Sequence, residues 1–108
     1  MNTYQGTIIE QSLTDADILK ILKVIKTWTD EDWILHDVVV TEEDISHIQR
    51  SLMEGPWYVH VWHDDEMVII FKEKIFRVDR FDTGTWNDAI VHGLSIGVPR
   101  EQLDFLTE

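Results

Sequence analysis

Cysteine is missing from this 108-residue sequence. Its absence removes thiol nucleophiles, zinc sites of the thiolate type and any disulfide framework, and suits a reducing, cytoplasmic setting. Long apolar runs are missing too: stretches such as Met67-Val68-Ile69-Ile70-Phe71 are far too short to cross a bilayer. The N-terminal MNTYQGTIIEQ lacks the basic and apolar regions of a signal peptide, so a soluble cytoplasmic protein with no membrane partner is expected. Basic residues are scarce, nine Lys and Arg against 21 Asp and Glu, and the formal net charge of -12 repels a phosphate backbone. Nucleic acid is therefore not an expected partner. With two prolines and five glycines there is no Pro- or Gly-rich linker, and no low-complexity segment or fixed-period repeat marks a boundary. The expectation is one domain over residues 1–108.

What is present is apolar mass. At 44% apolar residues, with five Trp, four Phe and two Tyr, the chain can build a core without disulfides or a structural metal. Three Thr-led segments, Thr14-Asp15-Ala16-Asp17, Thr41-Glu42-Glu43-Asp44 and Thr85-Trp86-Asn87-Asp88, have the composition of helix starts. In each, a hydroxyl is available to an orphan backbone N–H, and acids in the first turn complement the macrodipole. The second helix is predicted over about 42–53, since Ile45, Ile48 and Leu52 share a face and Gly55-Pro56 stops it. The third carries Ala89, Ile90, Gly93, Leu94 and Ile96 and ends near Gly97, with Gly93 allowing close approach to the sheet. The first is predicted as a short helix, because the β-branched segment from Leu22 to Trp28 reads as a strand paired with residues 33–40.

Strands are predicted in TYQGTIIEQ, in this hairpin, and in WYVHVWH, EMVIIFK and KIFRVDR, which are close enough in sequence to form a meander. The fold class is α+β: a mainly antiparallel sheet with a β-meander in the C-terminal half and about three helices packed on one face. A turn at Asp64-Asp65 sets Trp62 opposite Met67, His60 opposite Ile69 and Tyr58 opposite Phe71. A turn at Glu73-Lys74 adds Phe76 opposite Phe71 and Val78 opposite Ile69. The other face, with Val59, Val61, Val68 and Ile70 but also Lys72, Arg77 and Asp79, reads as the wetter one.

Candidate chemistry centres on His60, set between Tyr58 and Trp62 at every-other-residue spacing. The register makes it core-facing, where a neutral imidazole hydrogen-bonds to a carbonyl or side chain. The functional alternative is a base at the rim of an aromatic pocket walled by Tyr58 and Trp62, with His36 or His92 contributed by neighbouring elements. No metal site is expected, since His60 and Trp62-adjacent His63 point to opposite faces of a strand. The acidic runs Asp30-Glu31-Asp32 and Glu42-Glu43-Asp44 lack the spaced oxygens and central Gly of a calcium loop. Gly-x-Gly-x-x-Gly, the phosphate loop, His-Glu-x-x-His and Gly-x-Ser-x-Gly are all absent, and no cofactor is expected.

Five segments taken together carry a likeness: GTIIEQSL at 6–13, WILHDV at 33–38, WY at 57–58, VIIFKEKIFRVDR at 68–80 and GLSIGVPREQLDF at 93–105. The chain resembles a family of small single-domain proteins of bacteria and archaea described as conserved and uncharacterised. The connection between residues 28 and 33 is shorter here than in that family. The resemblance implies a free-standing soluble domain and brings no activity or site residue.

Two functions are weighed. The leading one is a small acidic protein-interaction or regulatory module with a basic protein partner, motivated by the charge and the five Trp. The other is a small-molecule-binding protein or small enzyme whose pocket is lined by Tyr58, His60 and Trp62. An edge strand offers a route to a homodimer.

Overall fold

The computed structural model describes residues 3–105. Six strands, β1 (Tyr4–Ile9), β2 (Lys23–Asp30), β3 (Trp33–Val40), β4 (Tyr58–His63), β5 (Glu66–Phe71) and β6 (Ile75–Asp79), form one sheet in the order β2-β3-β1-β4-β5-β6. Every neighbouring pair is antiparallel. The fold is thus α+β, with hairpin β2-β3 at one end, meander β4-β5-β6 at the other, and β1 joining them. No helix among the described residues is long and apolar enough to cross a membrane.

Among the described residues there are two α-helices, α1 (Glu42–Ser51) and α2 (Asn87–Ser95), where about three are expected. Helix α1 starts where the sequence places it: Thr41 Oγ1 accepts from Asp44 N, and the Asp44 carboxylate accepts from Thr41 N, a reciprocal capping box. Ile45, Ile48 and Leu52 are buried. The first predicted helix is only a 3-10 segment, Ala16–Lys20. Its cap is Asp15, whose side chain accepts from Asp17 N, while the Thr14 hydroxyl donates to the Ser51 carbonyl. Chain geometry explains the difference: β2 begins at Lys23, and of this stretch Ile18 and Leu22 are buried and Leu19 partly so, too little buried stripe to hold a longer helix. Before α2, the Thr85 hydroxyl likewise serves the chain outside a cap, donating to Asp82 O and accepting from Asp79 N.

The helices lie on opposite faces of the sheet, which corrects the one-faced arrangement expected. Helix α1 packs with Tyr4, Ile8, Val38, Val40, Val59, Val61, Val68 and Ile70. Helix α2 and the C-terminal segment pack with Trp62, Met67, Ile69, Phe71, Tyr58, Phe76 and Val78. The face read as wetter is therefore a second core, and its Val59, Val61, Val68 and Ile70 are buried. A strand covered on both sides reads as a continuous apolar run, as Met67–Phe71 does. Two of the charged residues that suggest water are long enough to pass the rim: Lys72 Nζ reaches the Arg50 carbonyl, and Arg77 reaches Glu42 at the start of α1, while the Asp79 carboxylate accepts locally from Phe81 N.

The β4-β5 register is the one the turn predicts, with Trp62 opposite Met67, His60 opposite Ile69 and Tyr58 opposite Phe71. The β5-β6 register differs by two residues, with Phe76 opposite Ile69 and Val78 opposite Met67. Phe71 N donates to Lys74 O, so the turn lies at Lys72-Glu73, and the even shift preserves the facing. Where β1 meets β4, a Cβ on Gly6 would lie 2.5 Å from the His60 carbonyl oxygen, so only glycine permits this approach. Gly93 makes room for Leu103 of the C-terminal segment and not, as expected, for the sheet.

Candidate functional site

Along β4, Tyr58, His60 and Trp62 alternate onto the α2 side, as strand periodicity requires. The His60 ring stacks on Trp62 at 5.6 Å between centroids and lies 6.0 Å from Tyr58. The Phe105 ring meets His60 edge-on at 5.9 Å and Tyr58 at 5.4 Å. Phe105 is itself buried, and the Tyr58 hydroxyl donates to the Gln102 carbonyl. The C-terminal segment thus fills the space over the row with an aromatic side chain. Burial, and secondarily the charge of Asp104, pushes the Tyr58 phenol up to about 12, so it is neutral at pH 7.

The other candidate histidines do not join His60. His36 pairs with Ile8 across β1-β3 and so faces the α1 side, away from His60. His92 is on the same side as His60, but it packs against Phe71 at 4.6 Å and Phe76 at 5.6 Å, with Nε2 3.5 Å from Glu73 Oε1 in a contact that makes no hydrogen bond. Among the described residues no three His, Asp or Glu gather into a metal-binding group.

Two polar clusters escape a reading by motif. In the first, His36 is buried between Thr27 and Glu10: Nδ1 lies 2.8 Å from Thr27 Oγ1 and Nε2 3.0 Å from Glu10 Oε1. A carboxylate only accepts, so Nε2 carries a proton, and in the neutral ring Nδ1 then accepts from the Thr27 hydroxyl. Hydroxyl, imidazole and acid stand in the order of a nucleophile, base and orienting group. Neither groove described below reaches them, and the contacts fasten edge strand β2 to the turn after β1. The hairpin register, with 27 opposite 36, was open to sequence reading; the arrival of Glu10 was not.

In the second cluster the buried Tyr4 hydroxyl lies 2.7 Å from Glu42 Oε1 and 2.9 Å from Glu66 Oε1, its one proton shared between them, and Arg77 bridges the same two carboxylates. Hydrogen bonds from Arg77, then from Tyr4, hold the Glu42 carboxyl below its ordinary range. Desolvation first, then the two carboxylates, push the Tyr4 phenol well up. Its members come from β1, α1, β5 and β6, and it ties the start of α1 to the meander.

Space for a ligand lies elsewhere. Helix α2 covers β4-β5-β6, but on that side no helix or strand among the described residues lies over β2-β3-β1: Ile9, Trp28, Leu35 and Val39 are half-buried, and Ile25 and Trp33 are exposed, with the Trp57 ring 5.6 Å from that of Trp33. A groove of about 130 Å3 opens here between Trp62 and Ile25, with Gln5, Thr7 and Asp37 in its lining. It continues past Gln5 and Trp62 into an open groove of about 320 Å3 that also reaches Val39, His63, Asp64 and Arg80. The Thr7 hydroxyl donates to Asp37 at 2.7 Å, and the Arg80 guanidinium lies 5.7 Å from the centre of the Trp62 ring. Trp62 Nε1 is buried with no hydrogen-bond partner among the described residues. Of Tyr58, His60 and Trp62, Trp62 alone lines this trench.

No family model, curated protein or solved structure matches the chain.

Proposed function

We propose that this chain is a small protein-interaction module that takes an extended segment of a basic partner along the trench on its open half-sheet. The observation that carries this reading is the uncovered β2-β3-β1 face, where apolar side chains stay in water although the same side of β4-β5-β6 is sealed by α2. Exposed contiguous apolar surface of this kind marks contact sites. Charge supplies the partner's sign. The chain carries -12, Asp37 lies in the trench, and Asp30, Glu31 and Asp32 stand at the tip of the hairpin that forms its far border. Phe105 packed over Tyr58 and His60 supports a structural role for those two residues. The lack of cysteine supports placing the module in the cytoplasm.

The test is a 15N NMR titration with a lysine-rich extended peptide at an ionic strength of about 0.15 M, where long-range attraction between exposed charges is largely screened. Shifts should gather at Gln5, Thr7, Ile25, Asp37 and the Trp62 indole, and Asp37→Lys should abolish them. Shifts spread over the acidic turns, unaffected by Asp37→Lys, would leave the proposal without support.

A further inference from the structure

The two edges of the sheet are finished differently. At β6 the last residue is closed from outside, since Asp79 N donates to Thr85 Oγ1 and Asp79 O accepts from the Trp86 indole. At β2, residues 23–30 make no backbone–backbone hydrogen bond beyond their ladder with β3 among the described residues. A bulge at Ile25 interrupts this strand, a common device for blunting an edge, but it leaves Lys26-Thr27-Trp28-Thr29-Asp30 in regular register beyond it.

That stretch is complementary to itself. Laid antiparallel against a second copy about Trp28, it sets Lys26 opposite Asp30 twice, Thr27 opposite Thr29 twice, and Trp28 opposite Trp28. Opposite charges, paired threonines and paired aromatics are the cross-strand combinations that stabilise antiparallel sheets. The backbone agrees with this register. Asp30 and Trp33 flank a two-residue turn and so form a hydrogen-bonded pair, which by alternation directs Lys26, Trp28 and Asp30 towards β3 and leaves Thr27 and Thr29 facing out. In the two-copy register those outward groups meet each other and make four N–H···O=C bonds, with Trp28 against Trp28 as the close non-bonded pair.

We infer that β2 pairs with β2 of a second copy, joining two sheets into one of twelve strands about a two-fold axis through Trp28. Local charge overrides the general repulsion of two acidic chains. Lys20, Lys23 and Lys26, three of the nine basic residues, lie at one end of the strand, and Asp30, Glu31 and Asp32 lie at the other. Antiparallel pairing brings each basic end beside the partner's acidic end. Because paired residues share a face, the axis is perpendicular to the sheet, and the two open half-sheets become one continuous floor bordered by both α2 helices. The pairing uses the edge of β2 and the proposed basic segment uses its face, so either can fail without the other.

The experiment is sedimentation equilibrium on the full chain up to about 1 mM, which reaches the weak end of specific association, at about 0.15 M salt. A concentration-dependent dimer is expected. Lys26→Glu and Asp30→Lys should each weaken it at least tenfold, and the double variant should restore it. Within one chain these positions are about 13 Å apart along the strand, so restoration reports contact between copies. Thr29→Pro, which removes an outward N–H and spares the β3 ladder, should also give monomer. A monomer at every concentration, a dimer indifferent to the single changes, or a double variant no better than either would overturn the inference.

Discussion

The Tyr4 hydroxyl donates to Glu42 Oε1 at 2.7 Å across 38 residues of sequence, and that one bond joins the first strand of the sheet to the start of α1. Glu66 and Arg77 complete the arrangement from β5 and β6. Hydrogen bonds to charged groups contribute about 1.5–3 kcal/mol each, less where water reaches them, as it does for the half-exposed carboxylates here. Tyr4→Phe should therefore cost about 1–3 kcal/mol in a urea melt at pH 7. An unchanged midpoint would mean that Arg77 alone holds the carboxylates.

The same cluster sets an acid limit. Arg77 first, and Tyr4 second, lower the Glu42 pKa, so between its folded value and the unfolded value near 4.3 the unfolded chain binds more protons. Stability from this group is full above about pH 4.3 and is lost as pH falls through the folded value. Urea midpoints from pH 6 down to pH 3 should decline, and Arg77→Gln should flatten that decline. An equal slope in the variant would assign the acid limb to other carboxylates.

At the alkaline end the sign reverses. Tyr4 and Tyr58 are the two tyrosines of the chain, and burial raises both, Tyr58 to about 12 and Tyr4 further. Above about pH 10 the unfolded chain releases phenolic protons that the folded chain keeps. Stability is thus full below pH 10 and falls as pH rises from there. Phenolate absorbance should lag that of free tyrosine and appear together with unfolding seen by circular dichroism. Half-ionisation near pH 10 in a folded protein would show that the phenols are reachable by water.

Two-sided burial makes neighbouring residues on β5 equivalent in cost. Ile69 faces α2 and Ile70 faces α1, and both are wholly buried. Ile69→Ala and Ile70→Ala should each cost about 2–5 kcal/mol in denaturant. A loss under about 1 kcal/mol at Ile70 would indicate that the α1 face is wet.

These pairs also show where reading the sequence stopped. Helix α1 was legible because its signals are local: Thr41 and Asp44 are three residues apart, and Ile45, Ile48 and Leu52 repeat at helical spacing. The strands and the β4-β5 register followed from alternation and a two-residue turn. The second core is hidden in the sequence because Lys72, Arg77 and Asp79 read as markers of water, whereas Lys72 and Arg77 are long enough to reach from the rim past a covering helix. The supposed first helix rested on Thr14, whose hydroxyl serves Ser51 across 37 residues. His36 was legible as a candidate, but its partner Glu10 comes from 26 residues away, and Tyr4, Glu42, Glu66 and Arg77 meet only through strand order. The trench was invisible for the same reason, since it exists only because α2 covers one half of a face and leaves the other.

The His36 cluster gives the last expectation. With Thr27 donating to Nδ1 and Nε2–H donating to Glu10, the ring is held in a single tautomer inside a buried site. Nitrogen-detected NMR should show Nε2 protonated at neutral pH, with slow exchange of that proton. Thr27→Val keeps the shape and removes the donor, leaving Nδ1 buried and unpaired, which should cost about 1–3 kcal/mol and speed the exchange. If the hydroxyl instead acted as an activated nucleophile, Thr27 would be phosphonylated by a fluorophosphonate probe with loss of fluoride, and Glu10→Gln would suppress the label. Neither described groove borders these hydrogen bonds, so the expected result is a lost clasp and no label.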